Sequence, residues 1–189
     1  MNNLLLKAKH WHLFILTFGI PLILQFFIMA RIFTKAFINE EISTTNMFSN
    51  SMVLIIITLA FSSILLFWIW SVSIGLQKKV PETVKLKTNR FKFFFFTPIV
   101  YMIIYLTIIF PSFMNSNINP MLFLIIIPLH LFAMFCMIYC LYFTAKTFRT
   151  VELQREVHSG DYLGEFFLIW LFPIGVWIIQ PRINKIVNE

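Results

Sequence analysis

Glu165-Phe-Phe-Leu-Ile-Trp-Leu-Phe-Pro-Ile-Gly-Val-Trp-Ile-Ile-Gln180 is the stretch on which the fold turns. Its uninterrupted apolar part, residues 166–179, would extend about 21 Å as a helix. A bilayer's hydrocarbon core is roughly 30 Å thick, so the segment is short for a crossing and suits a re-entrant or interfacial element. Pro173 removes one helix hydrogen bond and Gly175 permits a sharp turn, which predicts a break at Pro173–Gly175. The carbonyl near Ile169 then needs a partner, because non-helical backbone at membrane depth must be covered by protein or face a watery cavity. Pro181, Arg182 and Lys185 follow. A full crossing carries those charges to the far side, whereas a hairpin returns them. The expectation is a re-entrant or interfacial element comprising Glu165, Trp170, Pro173, Gly175 and Trp177. A tilted fifth span that recruits residues 162–165 is the alternative.

Working outward, four longer runs surround this segment: about 13–30, 51–76, 93–114 and 121–145. None contains Asp, Glu, Lys or Arg, and each is long enough for a helix to cross a bilayer. They are apolar on every side, without the alternation of a barrel strand, and lipid leaves helices as the default. Lys7 and Lys9 before the first run invite a signal-peptide reading, but the run is long and no small-x-small site precedes Arg31, so an uncleaved span is expected. Composition agrees: 59% of the 189 residues are apolar and 12% charged, with a mean hydropathy of +0.84. A soluble domain is about 45–50% apolar and about 25% charged. The expected fold is all-α and integral to the membrane, a single four-span bundle with a short broken fifth segment.

The net charge of +7 sits in connections, which membrane topology explains without nucleic acid. Lys78, Lys79, Lys85, Lys87, Arg90 and Lys92 crowd residues 77–92 against Glu82, and Lys146, Arg149 and Arg155 lie in 146–161. The positive-inside rule places the N-terminus and both these loops in the cytoplasm, and 31–50 and 112–120 outside. The six cations of 77–92 suit anionic lipid at the inner leaflet, or an acidic protein partner. Residues 146–158 read as a helical stalk continuing the fourth span, ended by Gly160.

Few residues suggest chemistry. His130 lies near the midplane of the fourth span, with Met134 and Met137 at helical spacing on one face and Cys136 and Cys140 beside it. Those are soft ligand types, but one helix supplies them all and no carboxylate orients the imidazole, so a packing histidine and no metal or other cofactor are expected. Gln25, the other deep polar group, suits a hydrogen bond across a helix interface. Glu40-Glu41 opens like the glutamate motif of membrane-embedded prenyl-protein proteases, but the arginine that should follow is absent. Pro21, Pro98 and Pro173 recur at near-equal spacing, as a twice-repeated two-helix unit with a truncated third copy would produce.

Val151-Glu-Leu-Gln-Arg-Glu156, then Gly164-Glu165 and Phe172-Pro-Ile-Gly-x-Trp-x-x-Gln-Pro-Arg182, resemble small bacterial multi-span membrane proteins of uncharacterised function. The resemblance covers about the last third of the chain. It implies a bacterial inner-membrane protein and brings no activity, substrate or site. Three functions compete. The first is a non-enzymatic subunit, scaffold or regulator with a protein partner or a second copy. The second is a small oligomeric transporter or channel using the break at Pro173–Gly175, with His130 lining a path. The third is a lipid-acting enzyme with Glu165, His158 and Asp161 at the cytoplasmic interface.

Overall fold

The computed structural model describes residues 4–38, 44–114 and 121–188, so Glu40 and Glu41 lie outside the described residues. The described residues are helical or in short connections, with no strand. Helix α1 (Leu4–Lys7) leads into α2 (His10–Phe14), which continues through a π-helical turn at Ile15–Gly19 into α3 (Ile20–Phe37). Helix α4 (Thr44–Trp70) ends in a π turn at Ser71–Gly75 and a 3₁₀ turn at Leu76–Lys79. Helix α5 (Thr88–Ile104) passes through a further π turn, Tyr105–Ile109, into α6 (Phe110–Met114). Then come α7 (Met121–Leu153), α8 (Ser159–Trp170) and α9 (Phe172–Asn188).

Among the described residues, four continuous helical stretches are long and apolar enough to cross a membrane: His10–Lys35, Met52–Lys79, Thr88–Ser112 and Phe123–Leu153. They contain most of each expected run and mainly extend it at charged ends, since a helix does not stop where its apolar composition stops. The three prolines of the supposed repeat have different settings. Pro21 follows a π turn, Pro98 lies inside continuous α5, and Pro173 is the second residue of α9. The closer likeness is between Pro21 and Pro111, each preceded by a π turn that contains a threonine four residues earlier. Thr17 and Thr107 there donate to the carbonyls of Leu13 and Ile103, at 2.7 and 2.8 Å. A proline supplies no N–H to the ladder, and a widened turn with a hydroxyl back-bond is one way a membrane helix adjusts to that.

The chain divides into two compact units. One comprises residues 1–75 and 167–189, and in it α3 pairs with α4 while α1 and α2 pack on α9. The partners of α9 run in reverse order along the N-terminal segment. Trp177 packs its ring at a tilt against His10 and Phe14, Gln180 reaches Leu5, Leu6 and Ala8, and Asn184 reaches Ala8. Helix α9 is therefore antiparallel to the course of the N-terminal segment. The buried face of α9 (Phe172, Val176, Ile179, Gln180 and Ile183) has helical spacing, the mark of a helix with one covered side.

The second unit, residues 76–166, is built on α5 against α7. Phe91 stacks on Phe143 with centroids 4.8 Å apart, Phe94 meets Tyr139 at 4.5 Å, and Tyr101 meets His130, so these helices too are antiparallel. Thr144 and Thr150, both fully buried in α7, satisfy their hydroxyls on the carbonyls of Cys140 and Lys146 one turn back.

Three expectations need correction. The helical break falls at Leu171, ahead of Pro173, because a proline in the first turn of a helix loses a hydrogen bond that turn does not make. Leu171 closes the corner by accepting from the N–H groups of Ile174 and Gly175 at 3.0 and 2.9 Å. The stalk stops at Leu153 and Gly160 lies inside α8. Gln154 stops it by taking a left-handed φ of 51° and turning its side-chain amide onto the carbonyls of Val151 and Lys79, at 2.6 and 3.2 Å. The basic stretch 77–92 is a loop only over residues 80–87, since Lys78 and Lys79 sit in the 3₁₀ turn and Arg90 and Lys92 in the first turns of α5.

Candidate functional site

Among the described residues, a dense polar construction surrounds Gln180, which is completely buried. A one-turn helix such as α1 leaves its last carbonyls without intrahelical partners. The Gln180 amide fills that need: Nε2 lies 3.1 Å from the carbonyl oxygens of Leu5 and Leu6 and 2.9 Å from that of Ala8. Its Oε1 accepts from the indole Nε1 of Trp68 at 2.7 Å. Asn184, one turn later, accepts from the same amide at 3.1 Å and donates to Ala8 at 3.2 Å. Trp68 is itself fully buried and meets the ring of Phe172 edge-on at 5.0 Å. One amide thus ties together α1, α4 and α9. Beside it, Leu6 lies so close to Gly75 that a Cβ on Gly75 would stand 2.8 Å from its Cδ1.

The broken element is equally filled. Gly175 is buried, and a Cβ built on it would lie 1.8 Å from the backbone oxygen of Leu168. The first turn of α9 therefore crosses the last turns of α8 backbone to backbone. Of the other residues expected there, Trp170 and Trp177 are largely exposed, Trp170 stacks on Phe167 at 6.2 Å, and Pro173 is half-buried. This unit thus brings Trp170, Pro173, Gly175 and Trp177 into one corner, with an exposed apolar face of Trp170, Leu171, Ile174, Trp177 and Ile178.

Glu165 belongs to the second unit and to a different construction. It is buried, and its Oε1 lies 3.5 Å from Nε of Arg149. Arg149 also donates to the Asp161 carbonyl at 2.9 Å and forms an ion pair with Glu152. Arg155 grips the Asp161 carboxylate with two bonds of 3.0 and 3.1 Å. Asp161 stands at the third position of α8, where its carboxylate accepts from the backbone N–H of His158 at 3.0 Å, one half of a capping box. That N–H, followed by Arg155, holds the Asp161 carboxyl below the usual carboxylate range. An acid so lowered stabilises the fold while ionised. Its contribution is complete above the ordinary value of about 3.9 and disappears as pH falls through the lowered one. Amide protection at residues 158–162 is therefore expected to hold from pH 7 to about 5 and to fall below about pH 4. Hydrogen exchange measures it, and Asp161→Asn should flatten the pH dependence.

Tyr101 and His130 approach within 3.1 Å, the hydroxyl against Nδ1, and join α5 to α7. Tyr101 is buried while His130 is exposed. Cys136 and Cys140 are both buried, whereas Met134 is half exposed, so the thiols and the thioether point to different surroundings. Among the described residues no three His, Cys, Asp or Glu side chains come together as a metal site would need. Gln25, in the first unit, donates to the Thr58 hydroxyl at 3.2 Å across the α3–α4 interface. Lys78, Lys85, Lys87, Arg90 and Lys92 are exposed, and Lys79 is half-buried, with its carbonyl accepting from Gln154.

Sequence reasoning missed Gln180 and Trp68 as a pair. The available signal was a glutamine at helical spacing with Phe172, Val176 and Ile183, where an apolar residue would fit the pattern. Comparison with protein-family models, with curated proteins and with solved structures finds no match.

Proposed function

We propose that this chain is a multi-span bacterial inner-membrane protein that works as a non-enzymatic subunit, scaffold or regulator. The observation that carries the reading is the lock at Gln180. The corner between α8 and α9 is filled by its own side chains and backbone. The polar groups nearest to chemistry are engaged in the same way: Glu165 with Arg149, Asp161 with Arg155, and His130 with Tyr101. Groups fixed in this manner give a rigid body for others to dock on. In each candidate span the most apolar window is only 11–17% buried, so its surface is available to lipid or to another chain.

In this reading the N-terminus and residues 77–92 are cytoplasmic, and the segment of α8 and α9 is re-entrant. Parity supports it. Four crossings return the chain to the side on which it began, and an α9 antiparallel to the N-terminal segment heads back to that same side. Exposed Trp177, level with His10 at the start of the first span, suits the headgroup level. Two measurements test the proposal. An activity reporter fused after Glu189 should report from the cytoplasm, and a signal from outside overturns the re-entrant topology. Tagged full-length chain purified in mild detergent should bring down a stoichiometric protein, or a second copy of itself. Repeated recovery as a lone monomer overturns the subunit reading.

A further inference from the structure

The outer face of α5 and α7 carries a groove of about 530 Å³ within the second unit. Phe96, Val100, Ile104, Leu129 and Phe132 line its length, and Lys92 stands at its start. All of these side chains belong to α5 or α7, whose register is fixed by ring contacts nearer the core: Phe91 stacked on Phe143, and Phe94 tilted against Tyr139. The bond between Tyr101, which also lines the groove, and His130 joins the two helices at its wall. The groove is thus a built feature of the α5–α7 pair.

We infer that this groove holds one acyl chain of an anionic phospholipid, with the headgroup phosphate on Lys92. This deepens the reading above and rests on its cytoplasmic placement of residues 77–92. Length and charge both argue for that occupant. From Lys92 to Ile104 the helix rises about 18 Å, close to the roughly 15 Å of one leaflet's hydrocarbon. A chain laid along it from the headgroup region ends near mid-bilayer. The walls are apolar along that whole length, which suits methylenes and no polar ligand. At the mouth the charge is of one sign, because Lys87 and Arg90 are exposed within two turns of Lys92. A zwitterionic headgroup would meet that cluster without gain, whereas an anionic one gains at each cation.

Native mass spectrometry on the full chain released from nanodiscs of equal phosphatidylglycerol and phosphatidylcholine tests it. Wild type should retain one phosphatidylglycerol in preference to phosphatidylcholine. Lys92→Gln should reduce that preference about fivefold, the effect of one cation near the surface. Val100→Trp fills the groove and should abolish retention of both lipids, while Met102→Trp, which does not line it, should leave retention unchanged. Equal retention of the two lipids by wild type, or phosphatidylglycerol still bound to Val100→Trp, overturns the inference. An external signal from a reporter placed in residues 80–87 would overturn the topology instead, so the two failures are distinguishable.

Discussion

Gly175→Ala is expected to open the corner between α8 and α9 and to lower stability by about 3 kcal/mol, the upper end of an ordinary overpacking cost. The added methyl runs into the backbone of Leu168: 1.8 Å to its oxygen, 2.4 Å to its carbonyl carbon and 3.0 Å to its Cα. No side chain can swing aside to relieve such a contact. Either the two helices separate or the first turn of α9 unwinds, and both displace Phe172 from Trp68. Gly164 supplies the control. It lies inside α8, but a Cβ there meets nothing within 4 Å. Gly164→Ala should be neutral or stabilising by up to about 1 kcal/mol, because glycine costs that much inside a helix. Thermal unfolding in detergent, read by the fluorescence of buried Trp68 in the same unit as Gly175, separates the two. Equal midpoints for both variants would sink the argument from close approach.

That contact also shows where the sequence was legible. Runs without charge and long enough to cross a bilayer are a local property, and four helices stand where those runs stand. Pro173 and Gly175 inside an apolar run announce a break, again locally. Where the break falls is not local. It depends on whether Pro173 ends one helix or begins the next, and the packing of Gly175 on Leu168 decides for the second. The end of α7 was misread for a related reason. Gly160 is the expected residue for a left-handed terminus, but Gln154 accepts that conformation because its amide finds the carbonyls of Val151 and Lys79, and the latter partner is remote in sequence. Gln25 and His130 attracted notice because they stand alone in apolar runs. Gln180 did not, because it stands where an apolar run ends. Its meaning lies in carbonyls at the other end of the chain, and backbone acceptors leave no mark on composition.

Gln180 accordingly carries the other large expected effect. Gln180→Leu keeps the volume and removes both functions of the amide. The carbonyls of Leu5, Leu6 and Ala8, which share the two Nε2 hydrogens, and the indole N–H of Trp68 then lose their bonds to Gln180. Each buried group so deprived costs about 1–3 kcal/mol. Asn184 still reaches Ala8 and α1 can fray toward water, so a loss of about 4 kcal/mol is expected rather than the full sum. Trypsin should then cut after Lys7 and Lys9 in the folded protein. Gln180→Glu is the sharper test because its sign depends on pH. Its carboxyl keeps an acceptor for Trp68 but, when ionised, turns negative oxygen toward carbonyl oxygens in a fully buried site. Burial and those neighbours raise its folded pKa above the unfolded value of about 4.3. A group raised in this way binds more protons folded than unfolded, so stability falls as pH rises between the two values. The Gln180→Glu variant should approach wild type near pH 4 and lose several kcal/mol by neutral pH. Asp161, whose pKa is lowered, gives the opposite trend in every variant that keeps it. Unfolding midpoints of Gln180→Glu and wild type measured from pH 4 to 8 should therefore diverge upward in pH. Parallel curves would mean that the Gln180 amide does not face the N-terminal carbonyls.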